Sequence, residues 1–255
     1  MLLALDTATR LASIALYDGQ RLLSEASWHS AQQHTVELMP RLVDMLEQAG
    51  VTPTMLSAVA VALGPGSFTG LRVALSVAKG LAVAHDLALL GVPTLDVVAY
   101  PHRGQPLPVC AVVQAGRGRL CWAMYGGQQS GWQSQGEYRL SPIEEVVAAV
   151  KATGRETLFA GEIGAGTAVV LQEALGERAR LASPALSLRR AGYLAELAWT
   201  RYQRGERDDP VSLSPIYLHE PAIKAGRQGY KLPDVAVRQE HIRGESDRVA
   251  DPPIY

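Results

Sequence analysis

The sequence predicts an α/β protein made of two halves, each with the element order βββαβαβα. Short apolar runs of strand length alternate with longer segments of helical periodicity. Turns that contain Gly or Pro separate these segments, and the same order starts again after the connection at residues 100–108, YPHRGQPLP. Three antiparallel strands followed by parallel strands joined through helices would give each half a five-stranded mixed sheet.

The first half comprises residues 1–100. Asp18-Gly19 is a strong hairpin signal between the second and third strands, and Gly50 ends the first helix. The run Gly64-Pro65-Gly66 ends the fourth strand. Strands are predicted at residues 2–5, 11–17, 21–27, 57–63 and 87–92, and helices at 35–49, 69–85 and 95–99.

The second half comprises residues 101–219, and a polar, Pro-containing tail follows at 220–255, which we expect to be flexible. Ser141 and Glu144 have the spacing of a capping box, with Pro142 at the first helical position. Strands are predicted at residues 109–114, 120–125, 132–138, 157–161 and 180–182, and helices at 142–151, 166–175 and 188–204.

The composition excludes several classes of protein. Hydrophobic residues make up 47% of the chain and charged residues 19%, as in ordinary globular domains. The 24 basic residues are balanced by 25 acidic ones, so the chain lacks the positive charge of an autonomous nucleic-acid binder. No apolar run has the length of a membrane span, the first residues do not read as a secretory signal, and two cysteines give no disulfide framework. We expect a cytoplasmic protein without membrane contact.

The most distinctive segment is GPGSFTGLR, which joins a buried strand to an apolar helix. Ser67 and Thr69 are placed to cap the helix start. One interpretation is an anion cradle at a helix N-terminus; the other, favoured on physical grounds, is a sharp turn whose glycines allow close packing. Arg72 stands where a P-loop requires Gly-Lys-Ser/Thr, and Pro65 replaces the first Gly of a nucleophile elbow. The candidate residues of this loop are Gly64, Gly66, Ser67, Thr69, Gly70 and Arg72.

Asp6 and Thr7 follow the first strand, at the place where this type of fold has a hairpin that faces phosphate. Asp6 is a candidate for orienting a metal-bound water or a nucleotide phosphate. Alternatively, Asp6 caps a turn, and Thr7 and Thr9 satisfy its backbone. The equivalent hairpin of the second half, residues 114–119, contains no carboxylate. Its absence argues against ATP hydrolysis, which would need acidic residues on both sides of the cleft.

The remaining polar residues indicate little chemistry. No two of the six histidines have the spacing that places metal ligands on one helix face, so we expect no metal and no other cofactor. His29 and His34 precede or begin a helix and are expected in cap or surface roles. Basic pairs such as Arg189-Arg190 are scattered and are expected on the solvated surface.

Two early helices carry more apolar surface than contact with one core requires. The apolar residues of the helix at 35–49 spread over roughly 180°, where a stripe of about 100° is sufficient, and the helix at 69–85 is wider still. This surplus indicates a buried bundle with another subunit. Coverage by loops of the same chain is the alternative. The candidate interface residues are Val36, Met39, Leu42, Val43, Leu46, Leu75, Ala78, Leu81 and Ala82.

Four segments resemble the TsaB family. They are LLALDTAT at residues 2–9, the helix at 34–46 with its Pro40, LGPGSFTGLRVALSVAKGLA at 63–82 and PIYLH at 215–219. The resemblance is strong over residues 1–100 and depends mainly on element order over 101–219. The repeated order also resembles the two-domain architecture of actin, hexokinase and heat-shock-kinase proteins, in which nucleotide lies in the cleft between the halves.

The resemblance implies a bacterial partner protein for the synthesis of threonylcarbamoyladenosine on tRNA. It implies a non-catalytic relative of the transferase TsaD, which modifies N6 of the adenosine next to the anticodon in tRNAs that read codons starting with adenine. It further implies a heterodimer with TsaD through the N-terminal helices, with TsaE docked at the junction. We also expect that the chain contacts tRNA only through this complex. When alone, the chain is expected to form a homodimer.

The sequence departs from the family pattern at three places. Gln114-Ala115-Gly116 stands where Asp-Ala-Arg is expected, His219 stands where Arg is usual, and the tail at 220–255 is additional. The first departure weakens any inference from the family about the hairpin of the second half.

The alternative function is a free-standing ATPase or sugar kinase of the same fold. It predicts nucleotide binding in the cleft and needs catalytic carboxylates on both of its sides. The partner function instead predicts weak or no ATP turnover by the chain alone and a stable complex with TsaD.

Overall fold

The computed structural model describes residues 1–31, 33–126 and 134–218, and these residues form two five-stranded sheets. The strands of the first sheet are β1 (Leu2–Asp6), β2 (Leu11–Tyr17), β3 (Leu22–His29), β4 (Ala58–Gly64) and β5 (Ala88–Pro93). Their order across the sheet is β3-β2-β1-β4-β5. The first three strands pair antiparallel, and β1, β4 and β5 run parallel.

The second sheet repeats this arrangement. Its strands are β6 (Val109–Gln114), β7 (Arg119–Tyr125), β8 (Arg139–Pro142), β9 (Thr157–Gly161) and β10 (Ala179–Leu181). The order β8-β7-β6-β9-β10 is that of the first sheet, with three antiparallel strands and two parallel ones in equivalent places. The predicted duplicated α/β fold, with its actin- and hexokinase-like architecture, is thereby confirmed.

Helices cover both faces of the first sheet. The helices are α1 (His34–Gln48), α2 (Phe68–His85), α3 (Thr94–Ala99), α4 (Ile143–Thr153), α5 (Ala165–Leu175) and α6 (Ala191–Gln203). Side chains alternate along β1, so Leu3 and Leu5 join the core beneath α1 and α2, whereas Leu2 and Ala4 join the core beneath α6. Both faces of β1, β2, β4 and β5 are therefore buried, as their almost unbroken apolar runs require, whereas β3 lies at the sheet edge and is largely open to solvent.

The two halves exchange helices. Helix α3 directly follows β5 but packs mainly against β6 of the second sheet. Helix α6 follows β10, and the sequence order assigned it to the half at residues 101–219, but it packs on β1, β2 and β5. Ala191, Ala195 and Ala198 line its buried face, and their small side chains allow close approach to the strands. The sequence pattern predicted a helix at residues 188–204 but carried no information about which sheet this helix covers.

One predicted element differs in place. A strand was predicted at residues 132–138, whereas the third strand of the second sheet is Arg139–Pro142. Residues 127–133 lie outside the described part of the chain.

The capping box predicted at Ser141 and Glu144 is wrong. Pro142 is the N-cap residue of α4, and the hydroxyl of Ser141 instead accepts a hydrogen bond from Trp122 Nε1 at 2.9 Å.

The other predicted bounds agree with the structure to within three residues. Helix α1 runs through Pro40 and does not restart there. His219 and the tail at 220–255 lie outside the described residues. Among the residues that are described, none of the helices is long and apolar enough to cross a bilayer.

We predict that Ala195→Leu destabilises the protein by about 1–3 kcal/mol, since the added methylenes must enter the packed layer between α6 and the first sheet. Urea unfolding measures the change. Thr200→Leu is the control, because Thr200 lies exposed on the same helix and its replacement places a leucine in solvent. Equal stabilities of the two variants would contradict the packing of α6 described above.

Candidate functional site

A cleft of about 1500 Å³ lies between the two halves. The first half contributes a mostly polar wall, and the second half contributes a mostly apolar one. The polar wall includes Thr9, Arg10, His29, His34, Thr35, Ser67 and Thr69, and the apolar wall includes Ile163, Ala168, Leu181, Pro184 and Leu188. Arg189 and Glu162 also line the cleft. Two sequence-predicted features, the β1–β2 hairpin and the start of α2, thus lie at one cavity.

The glycines of the loop before α2 allow it to lie directly on the β1–β2 hairpin. A Cβ on Gly66 would lie 2.2 Å from the carbonyl oxygen of Ala8, and one on Gly70 would lie 2.1 Å from that of Thr7. Such distances are shorter than any tolerated contact, so only glycine fits at either position. Gly64 has a φ of 108°, and a Cβ there would lie 2.8 Å from the carbonyl oxygen of Ile216.

Hydrogen bonds join the same two segments. Ser67 N donates to Ala8 O at 2.6 Å, and Thr7 Oγ1 donates to Gly70 O at 2.6 Å. The hydroxyl of Ser67 accepts from Gly70 N at 3.3 Å, which makes Ser67 the N-cap of α2. The structure therefore supports the close-packing interpretation of the loop. Anion binding there stays a prediction, and the amides of Ser67 and Gly70 already have partners.

The other two polar residues of the loop lie at the surface. Thr69 is exposed in the first turn of α2. The guanidinium of Arg72 lies 3.8 Å from the centre of the Phe68 ring and donates from Nε to the hydroxyl of Tyr217 at 3.1 Å. Phe68 and Tyr217 stack, with ring centres 5.3 Å apart. Arg72 thus fastens the segment at the end of the described chain to the start of α2.

Asp6 is fully buried, and its carboxylate already has partners. Its Oδ1 accepts from Ala8 N at 2.8 Å, which is the turn-capping role that the sequence left open. Its Oδ2 accepts from Arg189 Nε at 2.5 Å. The same guanidinium donates from Nη2 to Thr9 Oγ1 at 3.0 Å and to Leu11 O at 2.8 Å.

Arg189 links this hairpin to the second half, because its Nη1 lies 3.6 Å from Glu162 Oε1. Only 2% of the Arg189 side chain is exposed. Burial alone lowers the pKa of Arg189, but the attraction of Asp6 and Glu162 outweighs it, and the pKa is raised. The guanidinium is therefore a permanent positive charge inside the protein. The expectation that Arg189 lies on the solvated surface is wrong.

Arg190 fastens the start of α6 to β3. Its guanidinium pairs with Glu25, and the other oxygen of Glu25 accepts from Gly192 N at 2.7 Å. The side chain of Arg190 stays 43% exposed and that of Glu25 is 10% exposed, so this pair reaches water through its guanidinium, which the pair of Arg189 with Asp6 does not. The expectation that Arg190 lies on the solvated surface is therefore confirmed only in part.

Sequence reasoning also missed Glu162 and misplaced His34. Glu162 follows β9, and its Oε2 accepts from Gln114 N at 3.1 Å, so a carboxylate does lie beside the hairpin of the second half. His34 is buried rather than exposed, and burial lowers its pKa. No local pattern marks either residue, because the partners of each come from distant parts of the chain.

Five of the nine candidate interface residues lie in the core of this chain and face no partner. They are Leu42, Leu46, Leu75, Ala78 and Ala82, each no more than 8% exposed. The expectation that they contact another subunit is therefore wrong. A wide apolar arc contains an inward and an outward part, and the sequence does not distinguish the two.

Three of the other candidates lie on the part of α1 that faces solvent, beside its buried face. Val36, Met39 and Val43 are 65%, 42% and 44% exposed. Their spacing of three and four residues places them in one line along the helix. We call these three residues the outer stripe. Leu81 of α2 is half-buried, and Val83 on the same helix is 73% exposed.

The described residues contain no group of three or more His, Cys, Asp or Glu side chains arranged to hold a metal ion.

Comparisons with known proteins agree on the family. The sequence matches the model described as "TsaD: tRNA N6-adenosine threonylcarbamoyltransferase" over residues 28–226. TsaB of Escherichia coli is 33% identical over 137 residues, which cover 52% of this chain and 59% of that protein. TsaB of Bacillus subtilis is 28% identical over 228 residues, covering 85% and 93%. The solved structure of YeaZ from Pseudomonas aeruginosa has a TM-score of 0.71 at 32% identity, and the match covers 85% of this chain and 99% of that one.

The fold and the match over most of the chain define its class, which is the wider family of that TsaD model. Within this class, the chain belongs to the TsaB family.

We predict that Gly70→Ala destabilises the protein by about 1–3 kcal/mol, since the new methyl group collides with the backbone of Thr7. Gly80→Ala is the matched control on the same helix, because a Cβ there meets nothing within 4 Å. It should stabilise by about 0.5–1 kcal/mol through the helix preference of Ala over Gly. Thermal melting of both variants measures the effects, and a stable Gly70→Ala protein would contradict the close packing of hairpin and loop.

Proposed function

We propose that this chain is a non-catalytic partner of the transferase TsaD in the synthesis of threonylcarbamoyladenosine on tRNA in the cytoplasm. In this proposal, α1 and α2 form a heterodimer contact with TsaD. TsaE docks at the junction, and tRNA is contacted only through the complex. A homodimer through the same helices forms when TsaD is absent.

The outer stripe is the observation that carries the proposal. A helix that lies on its own core normally presents polar residues to water. Helix α1 instead exposes two valines and a methionine in one line, beside the face that buries Leu38 and Leu42. A contiguous apolar surface of this kind is typical of a protein–protein contact, and methionine is enriched in such contacts.

Helix α2 supports the same surface. Ser76 and Gly80 lie exposed beside Val83, so small side chains accompany the apolar one. The space above Gly80 is open, since a Cβ there would have no neighbour within 4 Å. A partner helix can approach closely at such a position because no side chain stands in its way.

The cleft favours the non-catalytic function over a free-standing ATPase or sugar kinase. Its volume of about 1500 Å³ would accommodate a nucleotide. However, both oxygens of Asp6 are engaged within the protein, one by Ala8 N and one by Arg189. An enzyme that used Asp6 toward a metal-bound water or a phosphate would first have to break a buried ion pair, which costs several kcal/mol.

We predict that Met39→Glu and Val43→Glu each weaken the complex with TsaD at least tenfold, while the chain stays folded. The physical reason is that a carboxylate would be buried without a partner at the contact. Binding to purified TsaD is measured by titration calorimetry, and threonylcarbamoyladenosine on tRNA is measured by nucleoside mass spectrometry in cells that carry each variant.

Val169→Glu is the matched control, because Val169 is an exposed helical valine on α5 with an exposure of 50%, close to that of Val43. It should bind TsaD as the wild type does. Wild-type affinity of Met39→Glu and Val43→Glu would refute the proposed surface. ATP turnover by the isolated chain that Asp6→Asn abolishes would instead favour the ATPase alternative.

A further inference from the structure

The guanidinium of Arg189 lies in a cage of four oxygen atoms from both halves of the protein. Nε faces Asp6 Oδ2 at 2.5 Å, and Nη2 faces Thr9 Oγ1 at 3.0 Å and Leu11 O at 2.8 Å. Nη1 faces Glu162 Oε1 at 3.6 Å. All three nitrogens of the planar group therefore point at oxygens, and two of these four oxygens belong to carboxylates.

The shape and charge of this cage suit a guanidinium and few other groups. Arginine stays protonated at every pH at which proteins are folded, and its donors form a rigid fork. A lysine ammonium is a single point charge and could satisfy only part of the cage. Water could hydrogen-bond to the oxygens but would leave two carboxylates without a counter-charge next to a buried hairpin.

The segment that Arg189 holds is fixed on its other side by α1 and α2. Thr7 bonds Gly70 O, and Ala8 O accepts from Ser67 N at the start of α2. Arg10 O accepts from Ser30 N, in the connection that leads to α1. The β1–β2 hairpin thus lies between the Arg189 cage and the two helices. Removing the positive charge from the cage would release the hairpin on the cleft side only.

We propose that Arg189 is the built-in cation of the cleft and a positioning residue, which holds the β1–β2 hairpin against the turn after β9 without any bound ion. The oxygen cage is then a guanidinium-binding site that the chain fills with its own side chain. This inference goes beyond the proposed function, since it concerns how the two halves are held together whether or not TsaD binds.

Chemical rescue tests the proposal. Arg189→Ala should lower the melting temperature by roughly 10 °C, because it leaves two carboxylates without their buried partner. Millimolar guanidinium chloride should restore at least half of this loss, whereas sodium chloride at equal ionic strength and urea at equal concentration should restore little. Urea has the planar shape without the charge, so it separates the two requirements.

Arg190→Ala is the matched control for rescue. The side chain of Arg190 is 43% exposed, against 2% for Arg189, so we expect a smaller loss and no recovery with guanidinium. The melting temperature of the wild-type chain should not change when EDTA is added. No specific recovery of Arg189→Ala by guanidinium, or a wild-type melting temperature that falls with EDTA, would overturn the proposal.

A second variant decides the matter if Arg189→Ala does not fold. Glu162→Gln removes the charge that the second half contributes to the cage. Hydrogen exchange at residues 6–11 should then become severalfold faster. Glu156→Gln, which breaks the exposed pair with Arg180 in the same half, should leave that exchange unchanged. Unchanged exchange in Glu162→Gln would show that the cage does not join the halves.

Discussion

The buried pair between Asp6 and Arg189 is the interaction on which the arrangement of the cleft depends. It joins residues 183 positions apart and lies where the first hairpin, the connection to α6 and the second half meet. A buried charge is stable only when it is paired, so each of the two residues requires the other. The hairpin held in this way also supports the start of α2, because Thr7 Oγ1 donates to Gly70 O and Ala8 O accepts from Ser67 N. It supports the connection to α1 through Arg10 O, which accepts from Ser30 N.

The two sides of the first half therefore have different properties. Toward the cleft, the side chains of Asp6, Thr7 and Thr9 are engaged in hydrogen bonds and in the Arg189 ion pair within the chain. Away from the cleft, α1 exposes the outer stripe, and no described segment of the chain covers it. This distribution supports the proposal that the chain acts by binding another protein, because the exposed part of α1 offers an apolar contact surface.

Most strands and helices could be predicted from local sequence patterns. Alternating and continuous apolar runs located the strands, and Ser67 with the glycines around it located the start of α2. Two features could not be predicted, because they depend on residues far apart in the sequence. Nothing near Arg189 distinguishes it from an exposed arginine, and nothing in α6 shows that it crosses to the first sheet. Helical periodicity likewise gave a wide apolar arc on α1 without separating buried Leu42 from exposed Val43.

Hydrogen exchange of this chain with and without TsaD tests the account most directly. We expect TsaD to slow exchange along α1 and along the exposed face of α2, which carries Val83. Exchange in the turn after β9 and at Ser187 and Leu188, which line the cleft, should be unaffected. Protection confined to the cleft-lining segments, with no change along α1, would contradict the claim that this protein acts through its outer helical surface.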